Sequence, residues 1–266
     1  SNWGDGLAAG DKYYSAIGDH ERPRGSARVF EYDAATKQLR MIVDLKVYLE
    51  SSGILGPNEN YTPGKIHCRI GMDGDGWLYF AGHRGSTRTT NDANGFLGEW
   101  ILRTHPARGT TEVVAAHPVP KHVIPMSVMD PQRMIFYGGT AAGENAPLQD
   151  IQFFAYDLKA RKMFLQADGG PKRYAIFAKS TGRVYWDGKV YDPATNSISP
   201  CPAAPSVRSA TEETPKGIVY GTSERSAEIW AFDTKTETLS ILGPGAVGDS
   251  EYTTTIDADP SGRYLY

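Results

Sequence analysis

The sequence has almost no cysteine, little net charge and no long apolar run. Its two cysteines, Cys68 and Cys201, fall in different repeats of the chain, so a disulfide between them is not expected. A formal net charge of -3 offers no basic field for a nucleic acid. The sequence contains no run of about 18 apolar residues that could cross a membrane. The sequence therefore predicts neither a nucleic acid nor a membrane as partner.

Turn-forming and aromatic residues are abundant instead, with 29 glycines, 17 prolines and 15 tyrosines, which suits tight turns joining half-buried strands. A pattern recurs along the chain: a polar turn, a short β-run, a loop, then an aromatic residue, a Tyr or Phe and an Asp, and a turn rich in Thr and Lys. Two copies read GMDGDGWLYFAG with EWILRTHPARGTTEVV, and VMDPQRMIFYGG with IQFFAYDLKARKMFL.

A repeat of about 40–50 residues with four short strands is typical of a β-propeller blade, because one such sheet cannot bury both faces until neighbours stack on it. We predict an all-β fold, a β-propeller with four-stranded blades, as a single domain over residues 1–266. The first blade lacks an inner strand, and the last stops within its second strand, which would leave an unpaired edge. We therefore expect a domain incomplete at both ends, with about six of seven blades present. Blades two to six are predicted at 65–117, 122–165, 173–199, 207–242 and 252–266.

The hairpin of blade two predicts a pair of histidines. Its turn at 74–76 makes Asp73 oppose Trp77, and counting outward places His67 opposite His83. Directly opposed Cβ atoms lie about 4.5–5.5 Å apart, so both imidazoles would share one spot. The same register puts four other residues at the position of His67 in later blades: Ile124, Arg173, Arg208 and Thr253.

The inner strands of a propeller line its central channel, so we predict that His67, Arg173 and Arg208 lie together at one open end, the mouth, of that channel. His20 is predicted to lie beside them. Placing an arginine there costs desolvation free energy unless an anion pairs with it. The predicted ligand is therefore anionic. We predict Tyr137 as a further catalytic candidate. The predicted ligand-binding residues are His20, Arg69, His122, Tyr174 and Tyr252.

Structural roles remain open for the same residues. A hydrogen-bonded histidine pair can serve packing alone, and an inner-strand arginine can bond the carbonyls of a neighbouring blade. His105 and His117, each followed by proline in outer-strand segments, are predicted to lie on the surface.

Two motifs carry a resemblance to a known family. KIHCRI, which opens an inner strand, and WLYFAGHRG, which closes the second strand, resemble seven-bladed propeller polysaccharide lyases acting on ulvan and on rhamnose-glucuronate linkages. In such lyases His or Arg neutralises the uronate carboxylate, and Tyr or His removes the C5 proton and protonates the leaving oxygen. The resemblance implies those roles for His67, His83, Arg173 and Arg208. It also implies a secreted or periplasmic enzyme whose partner is an acidic polysaccharide or oligosaccharide.

The sequence is also compatible with other functions. No cofactor is required for such a lyase, but a divalent metal (calcium, manganese or zinc) is the alternative, since His20, His67 and His83 could supply imidazole ligands as in manganese-dependent oligogalacturonate lyase. A gluconolactonase-like metal-dependent hydrolase would need a calcium cage of Glu, Asn and Asp, and the aligned mouth residues do not provide one. A non-catalytic carbohydrate- or protein-binding propeller would use the same face.

Overall fold

The computed structural model describes residues 6–19, 26–85, 87–224, 228–245, 253–259 and 261–266. The chain divides into two compact units, Ser1–Lys172 and Arg173–Tyr266. Both consist of four-stranded antiparallel sheets whose strands pair in sequence order, so each sheet closes through local hairpins. Within the part of the chain that the structure describes, no helix is long and apolar enough to cross a membrane.

The first unit contains three sheets, which we call blades one to three. The strands of blade one are β1 (Leu7–Ala9), β2 (Lys12–Ile17), β3 (Arg28–Asp33) and β4 (Gln38–Asp44), followed by helix α1 (Leu45–Ser51). Those of blade two are β5 (Gly71–Met72), β6 (Leu78–Ala81), β7 (Trp100–His105) and β8 (Thr110–Ala116). Those of blade three are β9 (His122–Asp130), β10 (Ile135–Ala142), β11 (Gln152–Asp157) and β12 (Lys162–Asp168). Two 3₁₀ turns, Thr87–Thr89 and Asp92–Asn94, lie in the insertion before β7.

The second unit contains two sheets. Blade four comprises β13 (Ile176–Ala178), β14 (Arg183–Trp186), β15 (Lys189–Asp192) and β16 (Ser197–Pro200). Blade five comprises β17 (Ser209–Ala210), β18 (Ile218–Thr222), β19 (Glu228–Asp233) and β20 (Thr238–Pro244). Each unit has its own apolar core, one shared by blades one to three and one by blades four and five. Trp100, Phe154 and Trp230 all lie on strands, as the repeat predicts, and are fully buried.

The expected count of about six blades is wrong, because the described residues form five. Tyr252, where a sixth blade was to begin, lies outside the described residues. Residues 253–259 and 261–266 contain only an isolated bridge between Ala258 and Leu265. Blade one, expected to lack its inner strand, is complete. Its inner strand β1 gives a weak sequence signal, because it is three residues long and its sequence Leu-Ala-Ala has no β-branched side chain.

The aspartate of the repeat builds the outer hairpin turn. In blade one, Asp33 Oδ1 accepts the backbone N–H groups of Ala35 and Thr36 at 2.9 and 3.0 Å. The last turn residue, Lys37, then has φ 59°, and the chain returns in the next strand. Asp157 and Asp233 accept equivalent backbone bonds in blades three and five.

Blade two has a histidine in place of that aspartate. His105 Nδ1 accepts the backbone N–H of Arg108 at 3.3 Å, and Gly109 supplies the left-handed residue at φ 61°. The Nε2–H of the same ring donates to the carbonyl of Asp75 at 3.0 Å. His105 is therefore a buried turn residue, and its predicted surface position is wrong.

Candidate functional site

The two histidines of blade two lie together, although their register differs from the prediction by two residues. The turn pairs Met72 with Leu78 as expected, but the chain bends at Cys68 and Lys65 pairs with His83 in place of His67. The ring centroids of His67 and His83 are nevertheless 5.6 Å apart, with the planes at 74°. We call this arrangement the histidine pair.

Backbone contact fixes the orientation of His67. Its Nδ1–H donates to the carbonyl oxygen of Pro125, at the inner strand of blade three, at 2.9 Å. In the neutral ring the lone pair is then on Nε2, whereas the protonated ring donates from both nitrogens. His67 and His83 are 3% and 4% exposed, so the pair lies beneath the surface of the first unit.

Three cationic residues lie close to the histidine pair in sequence. Lys65 and Arg69 lie two residues before and after His67, and Arg84 follows His83. Lys65 is buried, and both arginines are half-buried. The segments that carry the two imidazoles therefore also carry three cationic residues, and the anionic ligand expected for this region stays a prediction.

The site candidates of blade three have partners of their own. His122 is fully buried in β9; its Nδ1 lies 2.7 Å from Thr140 Oγ1, and its Nε2–H donates to the carbonyl of Leu148 at 2.8 Å. Burial lowers the pKa of His122, while the hydrogen bond to the carbonyl of Leu148 opposes that shift. Tyr137 is also fully buried in β10, with its ring stacked on Phe153 at 6.3 Å between centroids.

Three other predicted site residues belong to the second unit. Arg173 is exposed, and Tyr174 is half-buried against the apolar core of blades four and five. Arg208 is half-buried, and its backbone N–H donates to the carbonyl of Thr222 at 2.8 Å. His20 and Tyr252 lie outside the described residues. The functional roles of all these residues stay predictions.

Sequence reasoning missed a buried acid in blade two. Glu99 precedes β7 and is fully buried, and the hydroxyl of Tyr61 donates to its Oε1. Desolvation raises the pKa of Glu99 to about 8, while the Tyr61 hydrogen bond and the charge of Arg84 oppose that shift. Glu99 is thus mainly a neutral carboxylic acid at neutral pH. A glutamate directly before the apolar start of a strand was the available signal.

A second buried carboxyl group lies close to it. Glu59 Oε1 is 3.3 Å from Nε2 of His117, whose Nδ1–H donates to the carbonyl of Gly98 at 2.8 Å. The His117 ring also packs edge-on against Trp100, at 4.4 Å between centroids. His117 is thus half-buried, with 18% of its side chain exposed, and it is less open to solvent than a surface position implies. Together Glu59 and Tyr61 attach the connection between blades one and two to the start of β7.

The described residues contain no group of three or more His, Cys, Asp and Glu side chains placed to hold a metal ion. His20, one of the three predicted imidazole ligands, is not among them. Whether a divalent metal takes part stays an open prediction.

Comparison with known proteins identifies the fold of this chain but not its family. No family model matches the chain, and no curated protein matches it. Among solved structures, a chain of the nidogen/laminin complex is 11% identical, with a TM-score of 0.57 over 93% of this chain and 80% of that one. The Cps50 (Swd1) β-propeller domain of Myceliophteria thermophila is 11% identical, with a TM-score of 0.56 over 94% of this chain and 74% of that one.

The Dos1 propeller is 14% identical, with a TM-score of 0.57 over 97% of this chain and 63% of that one. The chain spans 57% of the TolB chain from Acinetobacter baumannii and 65% of that of a Bacteroides thetaiotaomicron VPI-5482 protein of unknown function. At these identities the likeness concerns the fold alone. The chain has an all-β propeller fold with four-stranded blades.

Proposed function

We propose that this propeller cleaves uronic-acid-containing glycans by β-elimination and that the histidine pair of blade two is the centre of the reaction. The observation that carries the proposal is the 5.6 Å separation of the His67 and His83 rings, in segments of the chain that also contain Lys65, Arg69 and Arg84. One imidazole can take a proton while a second group of the same kind gives one back, and the cations suit a carboxylate substrate.

The bond from His67 to Pro125 supports His67 as the base. With Nδ1–H donated to that carbonyl, neutral His67 presents the lone pair of Nε2 as proton acceptor. In the proposed step Nε2 removes the C5 proton of the uronate, and the electrons of the C–H bond form the C4–C5 double bond. The C4–O bond breaks, and protonated His83 gives its proton to the leaving oxygen.

In this proposal the cationic residues that neighbour the pair in sequence stabilise the developing charge. Removing the C5 proton moves negative charge onto the uronate carboxylate, so a donor aimed there binds the transition state more tightly than the ground state. Lys65, Arg69 and Arg84 are the candidates within the first unit. Anion binding by these residues also defines the expected partner, an acidic polysaccharide or oligosaccharide.

The burial of both rings favours a second candidate, a non-catalytic propeller that binds carbohydrate or protein. At 3% and 4% exposure the rings resemble a structural pair, and a substrate reaches them only when the side chains above them move. In that case the pair would brace blade two against Pro125, and binding would use other residues of the same blade end.

One assay separates the candidates. The native protein is incubated with a panel of uronate polysaccharides, and the ultraviolet absorbance of the unsaturated product is followed, because only β-elimination creates that double bond. His67→Ala and His83→Ala should each lower kcat/KM by about 10²–10⁴-fold if the residue transfers a proton. Lys159→Ala, in an exposed turn of blade three, is the surface control. Circular dichroism of each variant checks that the fold is kept.

The outcomes are distinct. Cleavage by the native protein with full activity in both histidine variants would overturn the site assignment. Absence of cleavage on every uronate polymer, with binding still measurable by calorimetry, would support the non-catalytic candidate. Activity lost with a chelator and restored by calcium, manganese or zinc would assign the reaction to a metal-dependent enzyme.

A further inference from the structure

A segment without regular structure joins helix α1 to blade two, and most of it is buried. Residues 59 and 61–65 are buried, and residues 56–64 belong to no strand or helix. Because backbone polar groups that leave water need hydrogen-bond partners, such a segment keeps its path only through specific contacts. We call residues 56–65 the strap.

The middle of the strap packs on the insertion that precedes β7. The backbone N–H of Asn60 donates to the carbonyl of Asn94 at 3.0 Å. The ring of Tyr61 packs edge-on against that of Phe96, with 4.6 Å between centroids, and both side chains are almost fully buried. The strap is therefore closed onto blade two through a small apolar contact.

Two carboxyl groups complete the contact of the strap with blade two. The hydroxyl of Tyr61 donates to Oε1 of Glu99, which directly precedes β7. Glu59 of the strap lies, through its Oε1, 3.3 Å from Nε2 of His117, which directly follows β8. One of these carboxyl groups belongs to the strap and the other to the blade, so the protonation state of this contact bears on whether the strap stays closed.

The surroundings of Glu99 favour its neutral form. Burial is the main reason, and it raises the pKa of Glu99 to about 8. Groups from four parts of the chain interact electrostatically with this carboxyl group: Glu59, Tyr61, Cys68, Arg84 and the backbone N–H of Trp100. Glu59 supports the neutral form, whereas Arg84 and the two hydrogen-bond donors oppose it.

The end of the strap is bonded to the backbone of His83. The N–H groups of Gly64 and Lys65 both donate to the His83 carbonyl, at 3.1 and 3.0 Å, and the N–H of His83 donates to the Lys65 carbonyl at 2.8 Å. His67 follows the strap by two residues. The strap is thus joined to one histidine by the chain and to the other by hydrogen bonds, so moving it displaces one ring of the histidine pair relative to the other.

We propose that the strap is a pH-sensitive latch on the histidine pair, closed while Glu99 is a neutral acid and loosened when Glu99 ionises. Inside the closed strap an ionised Glu99 would be a buried anion repelled by Glu59, which is costly. Loosening the strap lets water reach the carboxylate and removes that cost. The inference goes beyond the proposed function, because it holds whether the histidine pair transfers protons or only braces the blade.

The pH range of the latch follows from proton binding. In the closed strap Glu99 keeps its proton up to a pKa of about 8, whereas a carboxyl group in water loses it near 4.5. The closed state therefore binds more protons, and rising pH favours the loosened state from about pH 5 to about pH 8. With Glu99 fully hydrated in the loosened state, the opening equilibrium rises by at most about 50-fold from about pH 6 to about pH 8.

Hydrogen exchange of the native protein, followed by mass spectrometry and corrected for the intrinsic pH dependence of amide exchange, tests the proposal. Peptides covering the strap should exchange roughly tenfold or more faster at about pH 8 than at about pH 6. Glu99→Gln, which cannot ionise, should abolish this change, and Glu212→Gln, at an exposed glutamate, should leave it intact. Peptides from β11, in the core of the same unit, should stay roughly tenfold or more slower than the strap at both pH values.

Three results would overturn the proposal. Corrected exchange of the strap that is the same at both pH values in the native protein would show that the strap does not respond to pH. An equal change in Glu99→Gln would assign the response to another group. Equal rates for the strap and β11 at about pH 8 would show that the whole unit opens. The first and third results need no variant, and the measurement uses no substrate, so its outcome is separate from that of the proposed function.

Discussion

The substitution Glu99→Gln should remove a large part of the pH dependence of stability. Folded Glu99 keeps its proton up to a pKa of about 8, whereas the free carboxyl group loses it near 4.5. Between those values the folded state binds more protons than the unfolded state, so the free energy of unfolding falls as pH rises. For a shift of this size the loss is about 3–4 kcal/mol between about pH 5 and about pH 8.

Glutamine keeps the shape of the neutral acid and an oxygen for the Tyr61 hydroxyl, but it has no proton to lose. The free energy of unfolding of the variant, relative to the wild type, should therefore rise by that same amount from about pH 5 to about pH 8. All other titrating groups are common to both proteins and cancel in the difference.

Urea unfolding followed by tryptophan fluorescence at several pH values provides the measurement, since Trp100 lies next to Glu99 and is buried. Glu212→Gln, at an exposed glutamate, is the control and should give a curve parallel to the wild type. A curve for Glu99→Gln that also runs parallel to the wild type would refute the reasoning, because Glu99 would then titrate alike in the folded and unfolded states.

Two further predictions concern buried positions. His122 has a lowered pKa in the folded state, so the unfolded state gains the proton first and stability should fall as pH drops below about 6.5. In urea unfolding, His122→Gln should reduce the fall of stability below about pH 6.5, and it should lower the free energy of unfolding at neutral pH by about 1–3 kcal/mol. An unchanged fall of stability at acid pH would contradict the lowered pKa of His122. A Cβ added at Gly82 would meet Glu99 Oε2 and lie 2.8 Å from Pro63 Cγ, so Gly82→Ala should cost about 1–3 kcal/mol in thermal unfolding. Gly74→Ala, whose Cβ meets nothing within 4 Å, is the matched control, and equal melting temperatures for the two variants would contradict the clash.

The sequence predicted the blades well where the repeat had strong local signals. The aromatic and Asp positions located β3, β11 and β19, because alternating apolar residues followed by an Asp-containing turn form a hairpin whatever lies beyond it. The short β1 and helix α1 gave weaker signals. Helix α1 depends on Asp44, whose Oδ1 accepts the backbone N–H of Val47 at 3.2 Å directly after a strand ends.

The candidate site was predicted less completely. Hairpin counting brought His67 and His83 together, but the bend at Cys68 shifted the register by two residues, and no local pattern announces such a bend. The contact of Glu99 with Tyr61 joins residues 38 positions apart, so only the tertiary fold determines it. The burial of His105 and the half-burial of His117 likewise depend on packing that sequence periodicity does not contain.

The outer hairpin turns have a consequence for the order of folding. In blades one and two the turn is held by contacts within three residues, from Asp33 to Thr36 and from His105 to Arg108. Closing so short a loop costs little chain entropy, whereas pairing Lys65 with His83 requires 17 intervening residues to close. We expect the local hairpin turns to form early and the histidine pair to form late, because His67 also contacts Pro125, 58 residues away in blade three.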